Sequence, residues 1–460
     1  MTRRVLTILL FLLLLVSGGA IVNIAVALDS AAAPPLSGVA PGAEWKQQVR
    51  IKPAEWGERK YSVRAVSLSG DRMLIAANVT DPDDRSGPGM ACVYRFDGSD
   101  WIAEGVLDPG PLRRREYYGF SADISGPVAL VGCLAAGAPW PVKPPERVGP
   151  AGPGAVFVFR HGESGWAKEA RLAARDGQDN DHFGESVCVD GDRAVVGMPH
   201  DDENGDASGS AYVFRFDGTK WVQEARLLPD DGEKGDAFGH DVAISGTTIL
   251  VSARNASRRF LNSGAGYVFR LDGGKWTQEA RLVPAEAEYD DWFAESVALC
   301  GDRALIGASS DDTKARNAGA AYVFRFDGSR WVEETKLLPF RTPRHHHPAI
   351  GTGYGEFGSA VCLSAGRAVI GAGMDNERGS AAGSVSVFRS DDVSWVKEAK
   401  LLPRDGAHYG DFGGAVAISG DSIVVGTAQG QFTDEDTGGV YVYTLRQEAE
   451  EREKSAQDPE

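Results

Sequence analysis

A tryptophan recurs along the chain at positions 45, 101, 166, 221, 276, 331 and 395, and four of the six steps are 55 or 56 residues. The same phrase surrounds it each time. WVQEARLLPDDGEKGDAFGHDVAISG (221–246) is echoed by WVKEAKLLPRDGAHYGDFGGAVAISG (395–420), and a second half, RAVVGMP then GSAYVFRFDG (193–218), returns as RALIGAS then GAAYVFRFDG (303–328). Seven copies at such a period must fold as one repeated supersecondary unit, because no single unit can bury its apolar faces alone.

Each unit offers four short segments rich in β-branched and aromatic residues: WxxEA[KR]L, FGxxVAIS, RAVVGA and GAYVFRF. Gly and Asp punctuate them, so they read as strands. Ser-Gly-Asp between the second and third, and Phe-Asp-Gly before the next Trp, are tight hairpin connections. The other two connections are longer: loop A ends in FG, and loop B follows the RAVVGA segment. Four-stranded sheets repeated seven times predict an all-β, seven-bladed propeller of antiparallel blades. The FG strand is then innermost, the Trp strand outermost, and both loops lie on one face. The chain opens with an outer-type strand (Trp45 to Ile51) and its last unit lacks one, so the N-terminal strand is expected to complete the last blade. That closure removes an open sheet edge.

These residues resemble the FG-GAP repeat family, the unit of the integrin α-chain propeller, most closely its bacterial secreted members. Phe183-Gly184, Phe238-Gly239, Phe357-Gly358 and Phe412-Gly413 match the first half, with Tyr118-Gly119 close; Gly197-Met198-Pro199 and Gly307-Ala308-Ser309 match the second. The first unit has Ser62-Val63 in place of FG, and the fifth has Phe293-Ala294. In integrin-type repeats a calcium loop separates the halves. Here that connection is as short as Gly191-Asp192 or Gly301-Asp302, too short to supply six to eight oxygen ligands, so those metal sites are not carried over. No cofactor is expected.

The propeller should occupy residues 44–445. Residues 1–27 carry Arg3 and Arg4, an apolar run, and Ala25-Val26-Ala27, the pattern of a signal peptide. The alternative is an uncleaved anchor over 5–27, the one route to a membrane. Residues 28–43 read as an Ala/Pro linker and 446–460 as a charged tail. The expected location is secreted, periplasmic or cell-surface. A net charge of −17 argues against nucleic acid as a partner. Five cysteines show no paired framework; Cys188 and Cys362 occupy the place of Ala243, a small buried strand position.

Two positions before the FG aromatic an acid recurs: Glu116, Asp181, Asp236 and Asp291. Seven-fold placement makes these either a carboxylate ring for a cation or basic partner at the channel mouth, or repeated caps on the turns themselves. His200-Asp201-Asp202-Glu203-Asn204-Gly205 half-matches an oxygen-rich metal loop but has His in the first place, and reads as an acidic surface loop. The second and sixth units carry insertions with Trp140 and with His345, His346 and His347, candidates for a binding anchor and an ion site, or simply tolerated surface variation. Metalloprotease, nucleophile-elbow, phosphate-loop and Cys-x-x-Cys motifs are absent from the sequence. The expectation is a non-catalytic exported module binding a protein or surface glycan through the loop face. The alternative is a propeller hydrolase or lyase, which a convergent cluster of acids and histidines near the channel would favour.

Overall fold

The computed structural model describes residues 23–24, 43–54, 61–79, 89–112, 116–135, 152–256, 263–286, 290–340, 355–404, 410–427 and 438–446. Seven sheets follow one another, and in six of them four antiparallel strands run in chain order from inside to outside. Blade 3 is typical: Val187–Asp190, Arg193–Met198, Ser210–Phe216 and Trp221–Leu227. The inner strand of each blade packs on the inner strands of its neighbours, so these strands line the axis. In blade 1 a two-residue strand, Asn23–Ile24, adds in parallel to the inner strand at Ala65 and Val66.

Blade 7 is completed from the other end of the chain. Glu44–Ile51 pairs antiparallel with Gly439–Arg446, Trp45 opposite Leu445 and Ile51 opposite Val440. The expected ring closure is therefore present.

The strands alternate between two apolar faces, because each blade is covered on both sides. In blade 2, Ala129 and Val131 pack with Leu74 and Val93 of blade 1, while Val128 and Leu130 pack with Val196 and Phe214 of blade 3. The core is thus a series of inter-blade layers. Each fully buried Val, Leu or Ile contributes about 1.5–3 kcal/mol.

The inner hairpins turn at two residues, for example Gly246-Thr247 between Ser245 and Thr248. Gly246 sits at φ +58°, as the first position of a II′ turn requires. No calcium loop of the integrin kind fits there.

The repeated motifs explain themselves at the joints between blades. The FG phenylalanine is buried and meets the aromatics of its own third strand edge-on, Phe238 against Tyr267 at 5.5 Å and Phe269 at 6.0 Å. The FG glycine and the GAP glycine meet across the joint. A Cβ on Gly197 of blade 3 would overlap the carbonyl oxygen of Gly239 in blade 4, and Gly239 itself lies at φ +91°. The joint between blades 4 and 5 carries Ser252 and Ala294 at the two corresponding places, with Ala294 at φ +63°.

At the outer edge, W-x-x-E forms a belt. The Trp276 indole N–H of blade 4 donates to Glu224 of blade 3 at 3.0 Å, and Arg193 of blade 3 donates to the same carboxylate at 3.1 Å. Trp166–Glu104–Arg72, Trp221–Glu169–Arg160, Trp331–Glu279–Arg270, Trp395–Glu334–Arg303 and Trp45–Glu398–Arg367 repeat it.

Candidate functional site

Two of the recurring acids are turn caps. Asp181 accepts a hydrogen bond from the Gln178 backbone N–H at 2.6 Å, and Asp236 from that of Glu233 at 2.8 Å. Asp181, Asp236 and Asp291 are all buried, so they do not form an open ring at the channel mouth. Their carbonyls also accept from loop B, at His200, Asn255 and Ser310, which ties the two loops together. Glu116 begins the inner strand of blade 2, opposite Ala135.

Loop B of blade 3 is likewise internally bonded. Asp201 accepts from the Glu203 N–H at 3.1 Å and from Arg226 at 2.6 Å, and Asp202 accepts from the Ala207 N–H at 2.8 Å. Asp311 with Lys336 and Asp375 with Lys400 repeat the pattern in blades 5 and 6. These acids shape the loops. Trp140, His345, His346 and His347 lie outside the described residues.

The rim of the channel is built from two neighbouring columns of the repeat. The residue just before the FG aromatic is His182, Trp292, Glu356 or Asp411 in blades 3, 5, 6 and 7, and all four have left-handed backbone, φ +48° to +61°. The residue two after that aromatic is Arg64, Phe120, Glu185, His240 and Glu295 in blades 1 to 5. The left-handed turn swings the first column out of the sheet, and the inner strand presents the second beside it.

On the side of blades 3 and 4, Glu185 is the hub. His182 Nδ1–H donates to one carboxylate oxygen at 2.9 Å and His240 Nδ1–H to the other at 3.2 Å. Arg254 Nη1 donates to His240 Nε2 at 3.4 Å, which fixes that ring as the Nδ1–H tautomer. His200, from loop B, stacks on His182 with centroids 4.3 Å apart. Burial raises the Glu185 pKa, but the hydrogen bonds and charges of His182 and His240 outweigh it, so the carboxyl sits well below the usual range. Burial, then Arg254, holds the His240 imidazole below its ordinary value despite Glu185.

On the side of blades 5 to 7 the rim is acidic. Burial, with Glu295 and Asp411 nearby, pushes Glu356 up to about 8. Burial also raises Asp411 to about 6, opposed by Arg64. Trp292 stands between the two sides, with the Arg254 guanidinium 5.9 Å from its ring centroid.

His182 and His200 come from the two loops of blade 3 and His240 from the inner strand of blade 4, so they meet at the joint between these two blades. No repeated motif marks them. Comparing the two columns across the seven units finds His182 and His240, while His200, in loop B, lies outside both columns.

Below the rim, Asp123 and Asp241 are buried near the axis. Asp123 accepts from Ser67 of blade 1 and the Val189 N–H of blade 3; Asp241 accepts from Ser186 of blade 3 and the Val297 N–H of blade 5. Burial raises them to about 7 and about 8. Cys188 and Cys362 are buried, as expected of small core positions.

The FG-GAP repeat family matches at residues 166–214, 221–269, 276–324 and 395–443. A comparison with curated proteins returns no match. Among solved structures, the crystal structure of Saccharomyces cerevisiae Sqt1 is similar over 87% of this chain and 99% of that chain, at 9% identity and a TM-score of 0.45. The matched repeats and the closed ring of blades lead to one conclusion: the chain is a seven-bladed β-propeller that carries FG-GAP repeats at four positions.

Proposed function

We propose that this propeller is an exported, non-catalytic binding module that takes a protein or surface glycan on its loop face, centred on the channel rim. The observation that carries this reading is the rim itself. Seven inner strands deliver unlike side chains to one mouth: an indole, imidazoles, carboxylates and guanidinium groups. An apolar face beside convergent polar groups is what a sugar ring or a peptide loop needs. The test is capture of glycans on an array by the purified chain, with pull-down from cell-surface material alongside. Trp292→Ala should abolish capture while leaving the melting curve in place. Capture that ignores Trp292 and the rim would sink the reading.

A second reading is a hydrolase or lyase. The His182–Glu185–His240 cluster faces a rim that also holds Glu356, raised to about 8, so a depressed and a raised carboxyl share one mouth. Turnover of a captured glycan that disappears in Glu356→Gln would favour it over simple binding. Export is part of the proposal, and N-terminal sequencing of the mature protein checks it at Ala27.

A further inference from the structure

We propose that His182, Glu185 and His200 form a binding site for a divalent transition-metal ion, zinc being the best fit. One nitrogen of each imidazole and one carboxylate oxygen lie within 4.8 Å of one another. Two imidazoles and one carboxylate suit zinc, whereas calcium wants six to eight oxygens. The site is unrelated to the calcium loops that the hairpin turns lack.

The three ligands are brought together by different means. His182 and Glu185 flank the FG pair of blade 3, and the Glu185 N–H donates to the His182 carbonyl at 3.0 Å, closing a turn that sets both on the rim. His200 follows the GAP strand, and its N–H donates to the Asp181 carbonyl at 3.3 Å, pinning loop B against loop A. The backbone carbonyl of Asp181 therefore positions the third ligand.

The supporting groups are also present. Glu185 keeps its second oxygen on His240, and His240 is held by Arg254. Metal-bound carboxylates are usually oriented by such outer hydrogen bonds. Bonds of about 2.0–2.1 Å to a tetrahedral ion place ligand atoms about 3.3 Å apart, so the more distant atoms must close by up to about 1.5 Å, while His182 and Glu185, at 2.9 Å, are already within reach. The imidazole rings, now stacked at an angle of 21°, would turn so that their nitrogens converge. His200 is exposed and has room to do so. The ion takes the place of the proton on His182 Nδ1; a neutral ring then carries its N–H on Nε2, and a protonated ring releases one proton to solvent. Three protein ligands leave a fourth position toward the channel, open to water or to an oxygen of a bound ligand.

The experiment is calorimetric titration of zinc chloride into the chelator-stripped full chain, with cobalt(II) absorption as a second probe. One equivalent should bind, and cobalt should give the intense visible bands of a four-coordinate nitrogen and oxygen site. His200→Ala should weaken binding about tenfold or more and remove those bands. His161→Ala, on the outer edge of blade 2, should change neither. His200 is at the surface, so its variant keeps the fold; Glu185→Gln is read only if its melting curve matches the parent. Absence of zinc binding, or full binding in the double variant His182→Ala and His200→Ala, overturns the site; the latter result would move the ion elsewhere, with His345–His347 the next to test. A chain that binds zinc but captures no glycan or protein keeps this site and discards the module reading; the reverse result does the opposite.

Discussion

The joint between blades 3 and 4 and the joint between blades 7 and 1 do the same work with different parts. In the first, Gly197 faces Gly239 near the axis, and Trp276, Glu224 and Arg193 clasp the outer edge. In the second, Gly426 faces the Val63 side chain. Trp101 stands where Trp276 would be, but the acceptor position holds Gln48. The two places taken by Arg193 and Arg215 in blade 3 are Ser422 and Thr444 in blade 7. Gln48 accepts from the Thr444 hydroxyl at 3.1 Å, and the Trp101 indole N–H finds no partner among the described residues. Glutamate and its arginines have been lost together. That is the expected pattern if a carboxylate at the edge is tolerable only with its cation. The difference teaches that the Trp-Glu-Arg triad is a unit, exchanged whole for a neutral one at the seam.

The sharpest way to break the comparison is at the glycines. Gly239→Val puts a branched side chain at φ +91° against the backbone of blade 3, and should cost about 4 kcal/mol or more, or prevent folding. Val63→Ala at the seam should cost about 1–2 kcal/mol. Equal losses in urea unfolding would show that the two joints are equivalent after all. Next come the tryptophans. Trp276→Ala should cost about 3–5 kcal/mol, since the ring is 7% exposed and its N–H is bonded. The Trp101 ring is half-buried and its N–H finds no partner among the described residues, so Trp101→Ala should cost clearly less. A third experiment rebuilds the triad. Gln48→Glu alone should change stability by under about 0.5 kcal/mol, while adding Ser422→Arg should gain about 1 kcal/mol. A gain from the single change would mean that the arginine is dispensable.

A further effect concerns the interior. Asp123 and Asp241 have folded pKa values of about 7 and about 8, above those of an unfolded carboxyl. The folded chain therefore holds more protons between pH 4 and 8. Their contribution is fully present below about pH 4 and is lost as pH rises through 7 to 8. Melting temperature should fall from pH 5.5 to pH 8.5, and the slope should flatten in Asp123→Asn and Asp241→Asn. An unchanged slope would remove these two groups from the account.

Much of this fold was legible because repetition carries it. FG, GAP, W-x-x-E and Y-V-F recur wherever the same joint must be made, so the residues announce both the blade and its neighbours. The acids two places before the aromatic recur for the same reason, and that is why they mislead as a binding site. The turn needs Asp181 in blade 3 as it needs Asp236 in blade 4. The rim behaves oppositely. Its columns read His182, Ala237, Trp292, Glu356, Asp411 and Arg64, Phe120, Glu185, His240, Glu295, with hardly a repeat. A site on the axis is made once from seven contributions, so each unit supplies a different piece. Its signature is variation at fixed positions, and a search for shared residues passes over it.

The pairing of residues 44–51 with 439–446 also sets a timetable. A strand made before all seven inner strands is the strand placed last. At about 5–20 residues per second, synthesis keeps it waiting for roughly 20–80 s before its partner exists. Throughout that interval blade 1 stands without the neighbour that covers its outer flank, and Glu44–Ile51 is an unpaired ribbon. The ring cannot mature blade by blade into a finished object; it becomes native in one late event. Shielding that ribbon until the final blade arrives is therefore a requirement on whatever handles the chain before it folds.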